Sequence, residues 1–149
     1  MEVERRVVVA GPREEVFALI DDLERYPSWM DLVHDVERVA GAASDPGPAW
    51  EVELQARVGP FARSKRLRMV RTLHDAAHAV VFERSEIDGR RHAAWTLRAT
   101  LVDVDPDLVE VTMSLLYGGN LWTGAVLQRV LDDHVERGAA ALVALRSTP

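Results

Sequence analysis

The stretch NLWTGAVLQRVLDDHVERGAAALVALR, residues 120–146, carries the one long helical period of the chain. Leu127, Leu131, His134, Gly138, Leu142 and Leu145 recur at spacings of three and four, which predicts a single stripe along a helix. Asn120 supplies an N-cap oxygen, Gly118 and Gly119 break the preceding strand, and Pro149 lies just past the end. About 27 helical residues would run roughly 40 Å, and a helix that long needs a broad partner surface. Gly124, Ala125, Gly138 and the alanines at 139–141 contribute little burial of their own. Their density predicts close approach of a second layer, expected to be a curved sheet.

Upstream, the pattern is dominated by strands. Residues 3–9 are rich in β-branched valine (Val3, Val7, Val8 and Val9), which suits a strand, and Gly11-Pro12 then opens a helix with proline at its first position. Val16, Phe17, Leu19, Ile20 and Leu23 keep helical spacing to about Asp22, and Tyr26-Pro27-Ser28-Trp29 interrupts it, so two short helices are expected to meet there. A weak strand over Val33–Val39 is followed by a clean alternation in which Trp50, Val52, Leu54, Ala56 and Val58 oppose Glu51, Glu53, Gln55 and Arg57. After the Gly59-Pro60 turn, Leu67, Met69 and Leu73 share one parity, which also places Arg71 on the buried face. Ala79–Ser85 reads as a further strand and Asp88-Gly89 as a hairpin turn. Trp95, Leu97, Ala99 and Leu101 alternate next, and Val109, Val111, Met113, Leu115 and Tyr117 follow Asp105-Pro106-Asp107. The expectation is an α+β domain in which an antiparallel meander closes its apolar face on the last helix.

Composition narrows the function classes. A chain of 149 residues is expected to form one domain, 1–149, burying about 70% of its unfolded surface. It has no cysteine, which removes disulfides, thiolate nucleophiles and cysteine zinc sites and fits a reducing compartment. Met1 leads into Glu2, Glu4, Arg5 and Arg6, and no apolar run approaches a membrane span, so a soluble, cytoplasmic protein is expected. Eighteen Lys and Arg against 24 Asp and Glu leave a formal charge of −6, which argues against nucleic acid as a partner. Phosphate loops, dinucleotide fingerprints and nucleophile elbows are absent from the sequence, and no cofactor is expected. Nor is a metal, because His74 and His78 lie across a predicted turn without a completing carboxylate. The sequence leaves oligomeric state, including a homodimer, open.

Two stretches carry a family resemblance: VVVAGPREEVF at residues 7–17 and DDLERYPSW at residues 21–29. Together with the Gly118-Gly119 entry to the last helix, they resemble the polyketide cyclase/dehydrase and lipid-transport family of the START-like, helix-grip (SRPBCC) superfamily. The resemblance covers nearly the whole chain and implies a seven-stranded antiparallel sheet gripping the C-terminal helix around a cavity for hydrophobic ligands. It also aligns Arg71-Thr72-Leu73-His74-Asp75 with the stretch where aromatic polyketide aromatase/cyclases carry a pocket arginine, here Arg71. Those enzymes usually have tryptophan four residues earlier, where this chain has Leu67, so part of the aromatic wall is missing.

Arg71 and His134 are the candidate catalytic residues. A permanent cation on an apolar face must find an anion such as Glu83 or a ligand oxygen. A histidine in a helical stripe is either a satisfied core residue or a cavity acid, base or hydrogen-bond anchor. The expected ligand wall comprises Trp50, Leu67, Met69, Phe82, Trp95 and Leu97 from the middle strands, Met113 and Tyr117 from the last strand, and Leu131 from the helix. Trp29, with Tyr26, is expected near a mouth. The leading functional expectation is binding of a lipid, isoprenoid or polycyclic aromatic polyketide. The alternatives are a cyclase/aromatase acting on a poly-β-ketone, with Arg71 steadying an enolate, and a protein-interaction module.

Overall fold

The computed structural model describes residues 2–58, 60–118 and 124–147. Gly119, Asn120 and Pro149, and the side chain of Leu127, lie outside the described residues, so the N-cap reading is not placed. The order is β1 (Glu2–Ala10), α1 (Arg13–Ala18), a 3-10 helix (Leu23–Ser28), β2 (Val33–Val39), β3 (Ala49–Val58), β4 (Phe61–Asp75), β5 (Ala79–Arg84), β6 (Trp95–Asp105), β7 (Leu108–Tyr117) and α2 (Gly124–Ser147). All seven strands form one antiparallel sheet in the order β1-β7-β6-β5-β4-β3-β2. Consecutive strands from β2 to β7 pair with one another, and β1 joins the far edge by pairing with β7.

Helix α2 packs chiefly against β1 and also meets β3 and β7. Leu131, Val135, Ala139 and Leu142 are each at most 2% exposed. Leu145, expected in that stripe, is 42% exposed; it falls on the flank shared with His134, about three turns further on, where no layer covers it. Of the small residues, Gly138 and Ala139 meet a second layer, Ala140 faces solvent, and the side-chain positions of Gly124 and Ala125 lie outside the described residues. A Cβ built on Gly138 would stand 2.6 Å from the Met30 sulfur. At the end of α2, Arg146 donates to the Ala10 carbonyl at 3.0 Å and pairs with Glu15 at 2.9 Å. It crosses Gly11, whose φ of +129° and lack of Cβ both serve that crossing.

Several local expectations are corrected. Tyr26, Pro27 and Ser28 continue the 3-10 helix, and the break falls at Leu19–Asp22, where the extended Asp22 accepts from the Glu24 N–H. Asp88-Gly89 sits in the middle of the long β5–β6 connection and does not close a two-residue hairpin. A register shift between Arg71 and Leu73 upsets the alternation, leaving Leu73 46% exposed. Alternation with Leu67 and Met69 puts Arg68 on the solvated face of β4, yet it is 4% exposed. The loop before β3 folds over the outer face of β4, and Asp45 meets the Arg68 guanidinium at 2.6 Å while the Ser85 carbonyl accepts at 3.0 Å. Arg66, two residues earlier on the same face, stays solvated and pairs with Glu53 at 3.5 Å. Among the described residues, no helix is long and apolar enough to cross a membrane.

Candidate functional site

The inward parity of the central strands produces a small cavity of about 40 Å³ between sheet and helices. Val52 and Leu54 of β3, Leu67 and Met69 of β4, and Trp95 and Leu97 of β6 form its sheet wall. Leu23, Met30 and Leu32 close it from the helical layer, and Val135 closes it from α2. Pockets that hold drug-sized ligands occupy roughly 300–1,000 Å³, so in this conformation the cavity holds no such molecule. Methionine occupies two of its walls, the side chain best able to re-pack around a guest. The Trp95 indole N–H is buried without a hydrogen-bond partner among the described residues, but it does not face the cavity, whose lining is wholly apolar.

Beside it lies a larger, open groove of about 790 Å³. It follows the flank of α2 given by Val130, Asp133, His134 and Arg137, one residue set at helical spacing, and is completed by Asp31, His34 and the β3–β4 hairpin. The His134 side chain is 8% exposed, and its Nδ1 lies 2.7 Å from Asp31 Oδ1. Arg137 Nε donates to the other Asp31 oxygen at 3.2 Å, and its Nη2 stands 3.1 Å from His134 Nδ1. A ring nitrogen cannot donate to the carboxylate and accept from the guanidinium at once. The shorter contact assigns Nδ1–H to Asp31 and leaves Nε2 for chemistry. Burial pushes the Asp31 carboxyl up, but the hydrogen bonds and charges of His134 and Arg137 outweigh it and hold the group below the ordinary aspartate value.

The structure distributes the expected site residues over several places. Leu67, Met69, Trp95 and Leu97 line the cavity. Trp50 and Phe82 instead pack edge to face at 5.6 Å, and Phe82 meets Tyr26 at 6.0 Å. Trp29 is 3% exposed, stacks on Tyr26 at 4.6 Å and donates to the Leu19 carbonyl at 3.0 Å. Tyr26 and Trp29 are therefore core residues that fasten the 3-10 helix, and neither marks a mouth. Tyr117 packs against Trp95 at 4.7 Å; Met113 and Leu131 are buried outside the cavity wall. Arg71 is half-buried and donates to the Asp21 carbonyl at 3.0 Å, away from Glu83 and from both voids. His134 lines the groove, so the structure does not bring Arg71 and His134 together.

Asp31 and Arg137 escaped the sequence reading. Arg137 had a signal, its i+3 spacing from His134. Asp31 had none, since it lies 103 residues from its partner in a stretch without periodicity. For metal binding, the described residues offer Glu86 with Asp88 and His92, and Asp132 with Asp133 and Glu136. The first set is poorly suited, because Glu86 already accepts from Arg84 and from the Arg68 N–H. In the second, Asp132 is paired with Arg5.

No curated protein matches the chain significantly in sequence. Among solved structures, a START superfamily protein from Mycobacterium smegmatis superposes with a TM-score of 0.77 at 17% identity, covering 98% of this chain and 97% of that one. The Zhui aromatase/cyclase from Streptomyces sp. R1128 gives 0.66 at 15% identity, covering 99% and 93%. The di-domain ARO/CYC BexL from the BE-7585A biosynthetic pathway gives 0.69 at 19% identity, with this chain spanning 48% of its length. Identities this low establish the shared helix-grip fold and leave activity to the site itself. The family model described as polyketide cyclase/dehydrase and lipid transport matches residues 9–143, and the chain belongs to that family.

Proposed function

We propose that the protein binds a hydrophobic small molecule, a lipid, isoprenoid or polycyclic polyketide, between the sheet and α2. The observation that carries this reading is the wholly apolar cavity between the layers, whose lining includes Met30 and Met69, side chains able to re-pack around a guest. Burying an apolar guest there would contribute roughly 25 cal/mol per Å², less the cost of parting the walls. The seam between α2 and the Met30–His34 segment, spanned by the Asp31 contacts, is the natural place for that parting. We also place the protein in the cytoplasm, which the cysteine-free composition supports. Native mass spectrometry of freshly purified protein tests the binding reading. A discrete mass lost on denaturation supports it, whereas no such mass, together with no quenching of tryptophan fluorescence by lipids, isoprenoids or polycyclic aromatics, refutes it.

The Asp31–His134 pair favours a second reading, cyclisation of a poly-β-ketone. His134 Nε2 would take a proton from a carbon between two carbonyls, the enolate carbon would attack another carbonyl of the same chain, and the proton would return to the new alkoxide. The guanidinium beside the histidine is that of Arg137, whereas Arg71 is tied to Asp21. Under this reading His134→Gln abolishes turnover while ligand affinity stays within a few-fold, and parallel loss of both returns the assignment to binding alone. The protein-interaction reading would use Val8, Val102, Val104 and Leu108, exposed apolar side chains that the register of the adjacent strands β1, β7 and β6 sets near one another.

A further inference from the structure

Helix α2 is held unevenly along its two flanks. On the β1 side Asp132 pairs with Arg5, and Arg146 donates to the Ala10 carbonyl and pairs with Glu15, so polar contacts fasten both halves of the helix there. Packing follows the same bias, since α2 meets β1 extensively and β3 only lightly. On the opposite flank, among the described residues, the polar side-chain contacts that leave α2 converge on a single residue, Asp31, through His134 and Arg137. The open groove runs along this loosely held flank.

The wall between groove and cavity is here one residue thick. Before β2, Met30 and Leu32 line the cavity and Asp31 lines the groove; on α2, Val135 lines the cavity and its neighbour His134 the groove. Gly138 passes close to Met30, but the nearest atoms facing it are the sulfur and methyl at the end of a flexible side chain. The other described walls are tighter. The sheet is hydrogen-bonded strand to strand, and Tyr26 and Trp29 fasten the 3-10 layer to the Ile20 and Leu19 carbonyls. Resting on the ligand-binding reading above, we infer that a guest reaches the cavity from the groove, between α2 and Met30–Leu32, and that Asp31 is the latch that sets how fast it enters and leaves. Opening swings α2 on its β1 contacts, breaks the Asp31 contacts and turns the Met30 side chain aside. Arg137 is a permanent cation, so its pairing with Asp31 does not depend on the protonation state of His134. A latch that closes the empty and the filled protein alike raises the barrier in both directions and leaves affinity unchanged.

The test follows binding of N-phenyl-1-naphthylamine, a neutral apolar fluorophore, to the full chain by stopped-flow fluorescence. Asp31→Asn removes the charge and keeps the shape; it should raise the association and dissociation rates together by about fivefold, with Kd within about twofold. The sequence has no cysteine, so an Asp31→Cys, Arg137→Cys variant can be bridged by a short reducible bis-thiosulfonate. The bridge should slow both rates by about tenfold or more, and dithiothreitol should restore them. Equal rates in the bridged and reduced forms, or an unchanged association rate in Asp31→Asn, overturn the latch while the hydrophobic-ligand reading stands. Failure of the native chain to bind the fluorophore overturns both.

Discussion

Leu67→Ala is the perturbation that most directly probes the cavity. Leu67 is 1% exposed, pairs with Val52 across the β3–β4 register and shares the cavity wall with Met69. Alanine removes three carbons next to a void of about 40 Å³ that already exists. Because β4 is hydrogen-bonded to β3 on one side and β5 on the other, the wall cannot slide inward to refill the space. Lost transfer energy at about 0.8 kcal/mol per methylene gives about 2.4 kcal/mol. The unrelaxed cavity adds to it, so the expected loss is about 3–4 kcal/mol, within the usual range for buried leucine. At about 2–4 °C per kcal/mol for a chain of this size, the thermal midpoint should fall by roughly 6–16 °C. Urea denaturation should report the same loss as a lower midpoint with an unchanged slope. The enlarged cavity should also accept a small apolar guest, and a guest at 100 times its Kd should restore about 2.7 kcal/mol. A loss below about 1 kcal/mol with no gain in guest binding would refute the reasoning, since it would mean that the sheet does relax and that Leu67 bounds no persistent void.

Three further outcomes follow from the same geometry. Gly138→Ala should leave stability within about 1 kcal/mol, because the helix gains propensity while the new Cβ displaces only the flexible end of Met30; if that end moves into the cavity, ligand affinity should drop several-fold in fluorescence titration, and unchanged affinity would separate Met30 from the ligand path. Tyr26→Phe leaves the Ile20 carbonyl, which now accepts from the phenol at 2.7 Å, without that partner and should cost about 1–3 kcal/mol in chemical denaturation. In the native protein, burial and then the nearby Asp21 charge push the Tyr26 phenol well above its ordinary value. Unfolded tyrosine ionises first, so stability should fall as pH rises above about 10, and a folded-state absorbance titration counting Tyr26 with free tyrosine near that pH would contradict its burial. On the acid side, Asp31, Asp45 and Asp88 are all held below the ordinary aspartate value, Asp45 chiefly by the Arg68 hydrogen bond and Asp88 chiefly by the Arg90 N–H. The unfolded chain then binds protons more readily than the native one, so their contribution is complete above about pH 4–5 and is lost as pH falls below it; the thermal midpoint should decline there, less steeply in an Asp31→Asn, Asp45→Asn variant, and an unaltered slope would count against both pairings.

Much of the fold was legible because alternation and helical spacing are local quantities. Val52, Leu54, Leu67, Met69, Trp95, Leu97 and Leu115 were all read as inward by parity, and all line the cavity. Parity failed at Arg71 and Leu73, where a register shift that no composition signal announces changes the alternation. It also misplaced Arg68, because a strand face is wet only until another segment folds over it, here the loop carrying Asp45. Aromatic residues misled in a different way. Trp29, Trp50 and Phe82 are large and inward-facing, but packing against Tyr26 and one another consumes them as core.

Sequence by itself determined the element order, the antiparallel sheet and the long helix across it, since each rests on residues near one another in the chain. It also singled out His134 as a polar residue within an apolar stripe. Only the tertiary structure decided what His134 does there. The Asp31 carboxylate that orients the ring comes from a segment 103 residues away, and the cavity depends on how far Met30, Met69 and Val135 fill the space between layers. Contacts of that kind are set by close packing of distant segments, for which a linear pattern holds no record.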